Sequence, residues 1–309
     1  MERTKNTNKN HLNRHSFWFC GKVIAELSEF WLEVDGMESE LVKRRWDEAA
    51  KTWVKFVREG KDYYREYLNG PALKRMMGEV EGKRVLDIAC GEGYFSRYFA
   101  TVGAKVTGID ISNSLLSKAI EEEKRHPLGV KFFEADAANL RMLKSDSFDL
   151  AFCYMALMDI ENYEGAISEA SRILKMSGRF VAVIEHPCFV RSRVLDGKTV
   201  CDWKKRVSSG KTENWFGVYY WISDYFTRHS YASEWKHSRL RSSFVTTGFH
   251  RTLSDYVNAM TKYSLVITKF DEPQPLEQGV RLHSPMEKHY RIPHSILIEA
   301  IKTVSEMHS

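Results

Sequence analysis

The chain lacks the features of a secreted, metal-stapled or membrane-spanning protein. Its five cysteines (Cys20, Cys90, Cys153, Cys188 and Cys201) are odd in number and widely scattered, with no Cys-x-x-Cys pair. That spacing argues against a disulfide framework and a structural zinc site, so no metal is expected and a reducing cytoplasm is the natural setting. No apolar stretch reaches the ~18 residues that a membrane span requires. Lys22, Glu26 and Glu29 interrupt the apolar region near the N-terminus, which rules out a secretory h-region there. Repeats, low-complexity tracts, a separate RNA-binding module and an obvious catalytic dyad are also missing.

What is there fits one large α/β unit. The chain has 309 residues, 43% of them hydrophobic, ample for a core. Residues 1–36 read as a leader, polar and disordered over 1–15. A helical stripe follows at Phe17, Cys20, Ile24, Leu27, Trp31 and Val34. This is either a docking helix or sequence ahead of a true start at Met37, and nothing catalytic is assigned to it. Residues 37–302 form the main domain and 303–309 a tail. Between Glu38 and Gly78 two helices are expected, one with an apolar face of Trp46, Ala50, Trp53, Val54 and Val57. Trp46 and Trp53 are expected to pack on a sheet. Tyr63 and Tyr64, just after the Gly60 break, are candidates for lining a ligand.

The most informative stretch runs from Val85 to Arg97. An apolar run, Val85-Leu86-Asp87-Ile88-Ala89-Cys90, breaks into Gly91-Glu92-Gly93 and becomes helical again. That pattern is a buried strand, a glycine turn and a helix start, which lets a nucleotide-like ligand approach bare backbone. Asp87 at the strand's tip sits awkwardly with a pyrophosphate but suits a cationic ammonium. Lys105–Asp110 reads as a second strand ending in an acid nineteen positions after Gly91, where a ribose clamp is expected. Val130–Asp136, Phe148–Tyr154 and Arg179–Glu185 read as further strands, the last entered through the turn at Leu174–Gly178. Ser112 is the N-cap expected for a helix over 113–124, and a helix is expected over 162–175.

On these residues the chain resembles the class I S-adenosylmethionine-dependent methyltransferases, in particular the type 11 group, over roughly residues 40–302. Asp87, Gly91, Gly93, Asp110 and Asp136 fall where that family contacts its cofactor. The resemblance adds Ala89, Ile111, Ala137 and Tyr154 beside them, and Tyr63 and Tyr64 from the N-terminal helices. It implies a Rossmann-like, doubly wound seven-stranded sheet whose last two strands form an edge hairpin. Met176-Ser177-Gly178 replaces the family's usual Pro-Gly-Gly, with Gly178 left to make the turn.

Residues 187–250 read as an inserted cap after the fifth strand. From Pro187 to Arg251 there are thirteen aromatics in 65 residues, and twelve Lys and Arg against five acids, while the whole chain carries only +5. Such a segment is expected to hold a planar, sugar or anionic small molecule. Three groups near the strand tips are candidates to orient an acceptor or take its proton: His186, Glu185 and Asp159. RNA methylation is the enzymatic alternative, disfavoured by the mild net charge. A non-catalytic, cofactor-binding regulator is the other. A dehydrogenase is disfavoured by Asp87. Oligomeric state is not legible.

Overall fold

The computed structural model describes residues 38–304 except 190–193, 196–197, 200, 208–215, 223, 237–238 and 241. The stripe at Phe17–Val34, the choice of Met37 as a start, and the tail beyond 304 lie outside the described residues. So do the side chains of Trp203, Trp215, Phe216, Tyr219, Tyr220 and Trp221 in the aromatic segment.

The chain opens with helix α1 (38–58), then a π-helical turn Arg65–Asn69 that runs into α2 (Gly70–Met77). Alternating strands and helices follow: β1 (Arg84–Ile88), α3 (Tyr94–Thr101), β2 (Lys105–Asp110), α4 (Asn113–Arg125) and β3 (Lys131–Glu134). Next come β4 (Phe148–Tyr154), α5 (Tyr163–Ile173) and β5 (Leu174–Glu185). Three strand pairs lie between β5 and the next helix: β6 (Val194–Leu195) with β7 (Lys198–Thr199), β8 (Cys201–Val207) with β9 (Phe216–Ile222), and β10 (His229–Trp235) with β11 (Phe244–His250). The chain closes with α6 (Leu253–Lys262), β12 (Leu265–Asp271), α7 (Glu277–Leu282), a 3-10 turn Ser284–Tyr290 and β13 (Ser295–Lys302).

Seven of these strands form one sheet in the order β12-β13-β5-β4-β1-β2-β3, with β13 antiparallel to both neighbours and the other pairings parallel. This is the doubly wound α/β sheet expected from the sequence. Its central strands are buried on both faces, which is why they read as unbroken apolar runs. Leu86 and Ile88 pack on one side with Ala166, Ala170, Tyr256 and Met260, and Val85 packs on the other with Leu73, Met77, Phe95 and Phe99. The chain runs outward from β1 to β3 and then returns to place β4 on the other side of β1. The switch point is therefore the crevice between the carboxyl ends of β1 and β4, where such sheets bind ligands.

Local details differ from expectation. The third strand stops at Glu134 rather than Asp136, which sits exposed in a turn where its Oδ1 accepts from Ala138 N at 2.8 Å. The fifth strand starts at Leu174, with an irregularity between Phe148 and Leu150 on its partner. The left-handed residue of its entry turn is Ser177 (φ 62°) and not Gly178, whose missing Cβ instead avoids Lys175 O at 2.8 Å. Trp46 and Trp53 do not pack on the sheet. They meet each other at 5.7 Å, flank Ala50, Val54 and Leu115, and carry the β10–β11 pair through Phe244 and Trp235. The sheet's faces are already filled by α2, α3, α5 and α6, so α1 covers α4 and the hairpin instead.

Candidate active site

The turn after β1 alternates left-handed residues: Ala89 (φ 58°), Gly91 (φ 58°) and Gly93 (φ 83°). A Cβ on Gly93 would lie 2.8 Å from the Phe132 ring, so close packing against β3 requires glycine there. A Cβ on Gly91 would meet nothing within 4 Å: this glycine borders open space, with bare backbone facing it. Asp110 holds the turn. Its Oδ2 accepts from Gly91 N at 2.7 Å and its Oδ1 from Ser112 N at 2.8 Å, so one carboxylate joins the glycine turn to the start of α4. Asp47 on α1 completes that junction by accepting from Ser112 Oγ and Ser114 N. The half-buried Ile111 lies between Asp110 and the helix.

Three acids are buried around this turn. Asp87 is 2% exposed and accepts from Ser96 Oγ at 2.5 Å. Burial pushes its carboxyl up to about 8, against the bond from Ser96. Burial likewise pushes Asp110 up to about 6, opposed by the Ser112 and Gly91 amides, and raises Glu92 against the pull of Arg65 and Arg58. Arg65 and Arg58 lie near Glu92, whereas no cation offsets the burial of Asp87 and Asp110, so a cation placed among them would favour their ionised forms.

A wall that sequence reasoning missed faces the turn. Arg65, buried at the head of the π-helical turn, sets its guanidinium against Tyr94 (4.9 Å), Trp53 (5.4 Å) and Tyr154 (5.9 Å). Its Nε and Nη1 make no hydrogen bond. The nearest carboxylates are Asp62, 3.4 Å from Nε, and Glu92, 3.8 Å from Nη1. The available signal was an arginine inside the aromatic run Tyr63-Tyr64-Arg65-Glu66-Tyr67.

The tyrosines beside it have other neighbours. Tyr63 lies under Arg239 at 4.5 Å, and Tyr64 packs among the rings of His283, His289 and His294. These histidines belong to the segment between β12 and β13, which also donates Leu276 N to Tyr67 O. Because β12 runs parallel to β5, that segment crosses the carboxyl edge of the sheet, on the ligand side. At the same edge His186 is 4% exposed and has both ring nitrogens engaged. Nδ1 accepts from Cys188 N at 3.3 Å, which leaves Nε2–H to donate to Glu272 Oε1 at 2.8 Å. Burial lowers its pKa, opposed by Glu272. Glu185 pairs in register with Ser295, and Asp159 closes a turn after β4 through its N–H to Ala156 O. Ala137 is buried beside the exposed Asp136.

The structure thus gathers Asp87, Ala89, Gly91, Gly93, Asp110 and Tyr154 around the β1–β4 crevice. S-adenosylmethionine carries an ammonium, a sulfonium and a carboxylate. The residues present fit such a group: Gly91 leaves open space, the buried Asp87 and Asp110 lack a cationic partner, and Arg65 keeps two buried N–H-bearing nitrogens without a hydrogen bond.

Residues 86–182 match the family model of a methyltransferase domain. The chain is 35% identical over 99 residues to the ubiquinone biosynthesis O-methyltransferase of Paraburkholderia phymatum, covering 32% of this chain and 43% of that protein. It is 34% identical over 118 residues to the demethylmenaquinone methyltransferase of Tropheryma whipplei, covering 38% and 48% respectively. The match therefore spans about half the length of these curated relatives. Among solved structures, an S-adenosylmethionine-dependent methyltransferase from Mesorhizobium loti superposes with a TM-score of 0.59 at 24% identity, over 75% of this chain and 96% of that one. A Listeria monocytogenes protein assigned to the same class gives 0.59 at 26% identity, over 76% and 97%. By sheet order and glycine turn the chain has the fold of the class I S-adenosylmethionine-dependent methyltransferases, and its residues 86–182 match a methyltransferase domain.

Proposed function

We infer that the chain transfers a methyl group from S-adenosylmethionine to a small-molecule acceptor. The observation that carries this reading is the glycine turn at the switch point, lined by Asp87, Glu92 and Asp110, all buried. Three acids repel a pyrophosphate and attract a cation. The bound cofactor supplies an electrophilic methyl group on a positively charged sulfur. Asp110 has lone pairs left for ribose hydroxyls beyond the two amides it already holds. Asp87 and Glu92 offer negative charge to the ammonium. Ile111, Asp136 and Ala137 border the adenine side, as the family resemblance implies, and Tyr154 closes the crevice from β4.

On the acceptor side, the chain mainly positions and shields. Holding two reactants in line is worth several kcal/mol, about 7 or more in the best cases, without a protein base. Trp53, Trp235 and Phe244 form an aromatic wall, with Trp235 and Phe244 stacked at 5.6 Å. Arg239 over Tyr63 adds a cation. These groups favour a planar acceptor with an anionic part, in keeping with relatives named for ubiquinone biosynthesis and for demethylmenaquinone. Asp159 and Glu185 are the candidate bases. His186, with Nδ1 accepting from Cys188 N and Nε2–H donating to Glu272, serves as a positioning residue. Calorimetric titration tests the cofactor half of this reading: saturable binding of S-adenosylmethionine and none of a nicotinamide dinucleotide is expected. The reverse preference would overturn it.

A further inference from the structure

The ligand edge of the sheet carries a second group of proton-bearing side chains, away from the glycine turn. With the ribose at the tip of β2 and the adenine beyond it, the reacting end of the cofactor faces β4. The acceptor side therefore lies at β5 and β13. Resting on the methyl-transfer reading above, we propose that Tyr64 and His289 form a proton relay there, in which Tyr64 takes the acceptor's proton, and that the acceptor atom is the oxygen of a hydroxyl or phenol.

The backbone brings the pair to this edge. His186 N, at the end of β5, donates to His294 O at 3.0 Å, and Ser295 at the start of β13 pairs with Glu185. The half-buried Tyr64 sets its ring 4.6 Å from that of His294 and 5.6 Å from that of His289, and the two imidazoles lie 5.0 Å apart. Ser295 Oγ donates to Asn69 Oδ1 at 2.5 Å, which ties the π-helical turn after Tyr64 to the same strand end. Segments far apart in the chain thus meet as a phenol and two imidazoles beside the tip of β5.

Hydrogen bonds give the pair a direction. His289 is 3% exposed, and its Nδ1 lies 3.1 Å from Ile292 O. A carbonyl oxygen only accepts, so Nδ1 carries the proton and the neutral ring turns the lone pair of Nε2 to Tyr64 Oη, 3.4 Å away. A hydroxyl, a base beside it and a third group orienting that base is the arrangement that activates proton transfer, and such contacts tighten once a reactant is bound. His186 is not available for this part, since both its ring nitrogens are engaged. A hydroxyl oxygen that gains a methyl must shed its proton to give a neutral ether, whereas a neutral amine gains one and keeps its protons. In the step, the acceptor oxygen bonds the methyl carbon as the carbon–sulfur bond breaks, its electron pair staying on sulfur. The acceptor's proton passes to Tyr64 Oη while the Tyr64 proton passes to His289 Nε2. The imidazolium keeps its Nδ1–H on Ile292 O, and the extra proton returns through Tyr64 to water after the product leaves.

The probe is the small-molecule fraction of cell extract with methyl-labelled S-adenosylmethionine, read at saturating cofactor. Tyr64→Phe keeps the ring and removes the O–H, and it should lower the rate by about 100-fold. Calorimetric affinity for S-adenosylhomocysteine should stay within about twofold, which also shows that the site is folded. His289→Gln leaves a hydrogen-bonding amide but no base, so it should lose about as much, and it carries the comparison should Tyr64→Phe not fold. Nitrogen-15 spectra of the wild-type histidines read the tautomer without turnover: His289, identified by its loss in His289→Gln, should carry its proton on Nδ1. The labelled product should bear its methyl on oxygen. Wild-type rates in both variants, a proton on Nε2 instead, or a methyl on nitrogen or carbon would overturn the relay. So would a variant whose loss is one of S-adenosylhomocysteine affinity alone, or a rate that falls only with Asp159→Asn or Glu185→Gln. A wild-type chain that labels nothing would instead overturn the methyl-transfer reading itself.

Discussion

At the scale of single residues, Asp110 has two jobs that separate experimentally. Its carboxylate holds the amides of Gly91 and Ser112, so Asp110→Ala should lower stability by about 1–3 kcal/mol in urea titrations. If it also meets the ribose, cofactor affinity should fall by more than about tenfold, and unchanged affinity would restrict Asp110 to the structural role. Ser177 shows what a departure from the family's turn costs. At φ 62° a side chain is strained, so Ser177→Gly should raise stability by roughly 0.5–1 kcal/mol. A lower unfolding midpoint would mean that the serine side chain contributes more than its backbone loses. The acids and glycines of the turn were legible because their spacing along the chain is fixed by one strand, one turn and one helix. Arg65 was not, because its partners Glu92, Tyr94 and Tyr154 lie far along the chain and meet it only through the fold. His186 was legible in position, at the tip of β5, but its occupied ring nitrogens depend on Cys188 and on Glu272 after β12.

At the scale of elements, the parallel strands were readable because burial on both faces writes them as continuous apolar runs. The antiparallel pair β12–β13 was readable too, but its long connection with α7 and the 3-10 turn was not. That segment has little apolar periodicity, since it packs through histidines and single contacts such as Gly279 on Tyr67. The tie between hairpin and body is equally non-local. Arg251, after β11, donates to the carbonyls of Leu157, Ile160 and Glu161 and lies between the rings of Tyr163 and Phe249. It thereby fixes the turn that carries Asp159. Arg251→Met should cost about 2–4 kcal/mol by leaving buried carbonyls unpaired, and thermal unfolding would reveal it. A change within about 0.5 kcal/mol would show that water replaces the guanidinium.

For the whole molecule, the buried acids couple proton binding to folding and to ligand. Asp87 and Asp110 titrate above their ordinary values in the folded chain, at about 8 and about 6, so the folded state binds more protons than the unfolded one between pH 3.8 and 8. Their contribution to stability therefore falls as pH rises through that window. A cationic ligand draws both values down, so cofactor binding should release protons and tighten as pH rises from about 6 to about 8. Calorimetry in buffers of different ionisation enthalpy reads the sign directly, and proton uptake would contradict the charge logic of the turn. No helix among the described residues is long and apolar enough to cross a membrane. The most direct check on the chain's activity is incubation with methyl-labelled S-adenosylmethionine and cell extract split into small-molecule, RNA and protein fractions. Label that appears in the small-molecule fraction, survives nuclease and depends on Asp110 is the expected result. Label confined to nuclease-sensitive material, or none in any fraction, would contradict it.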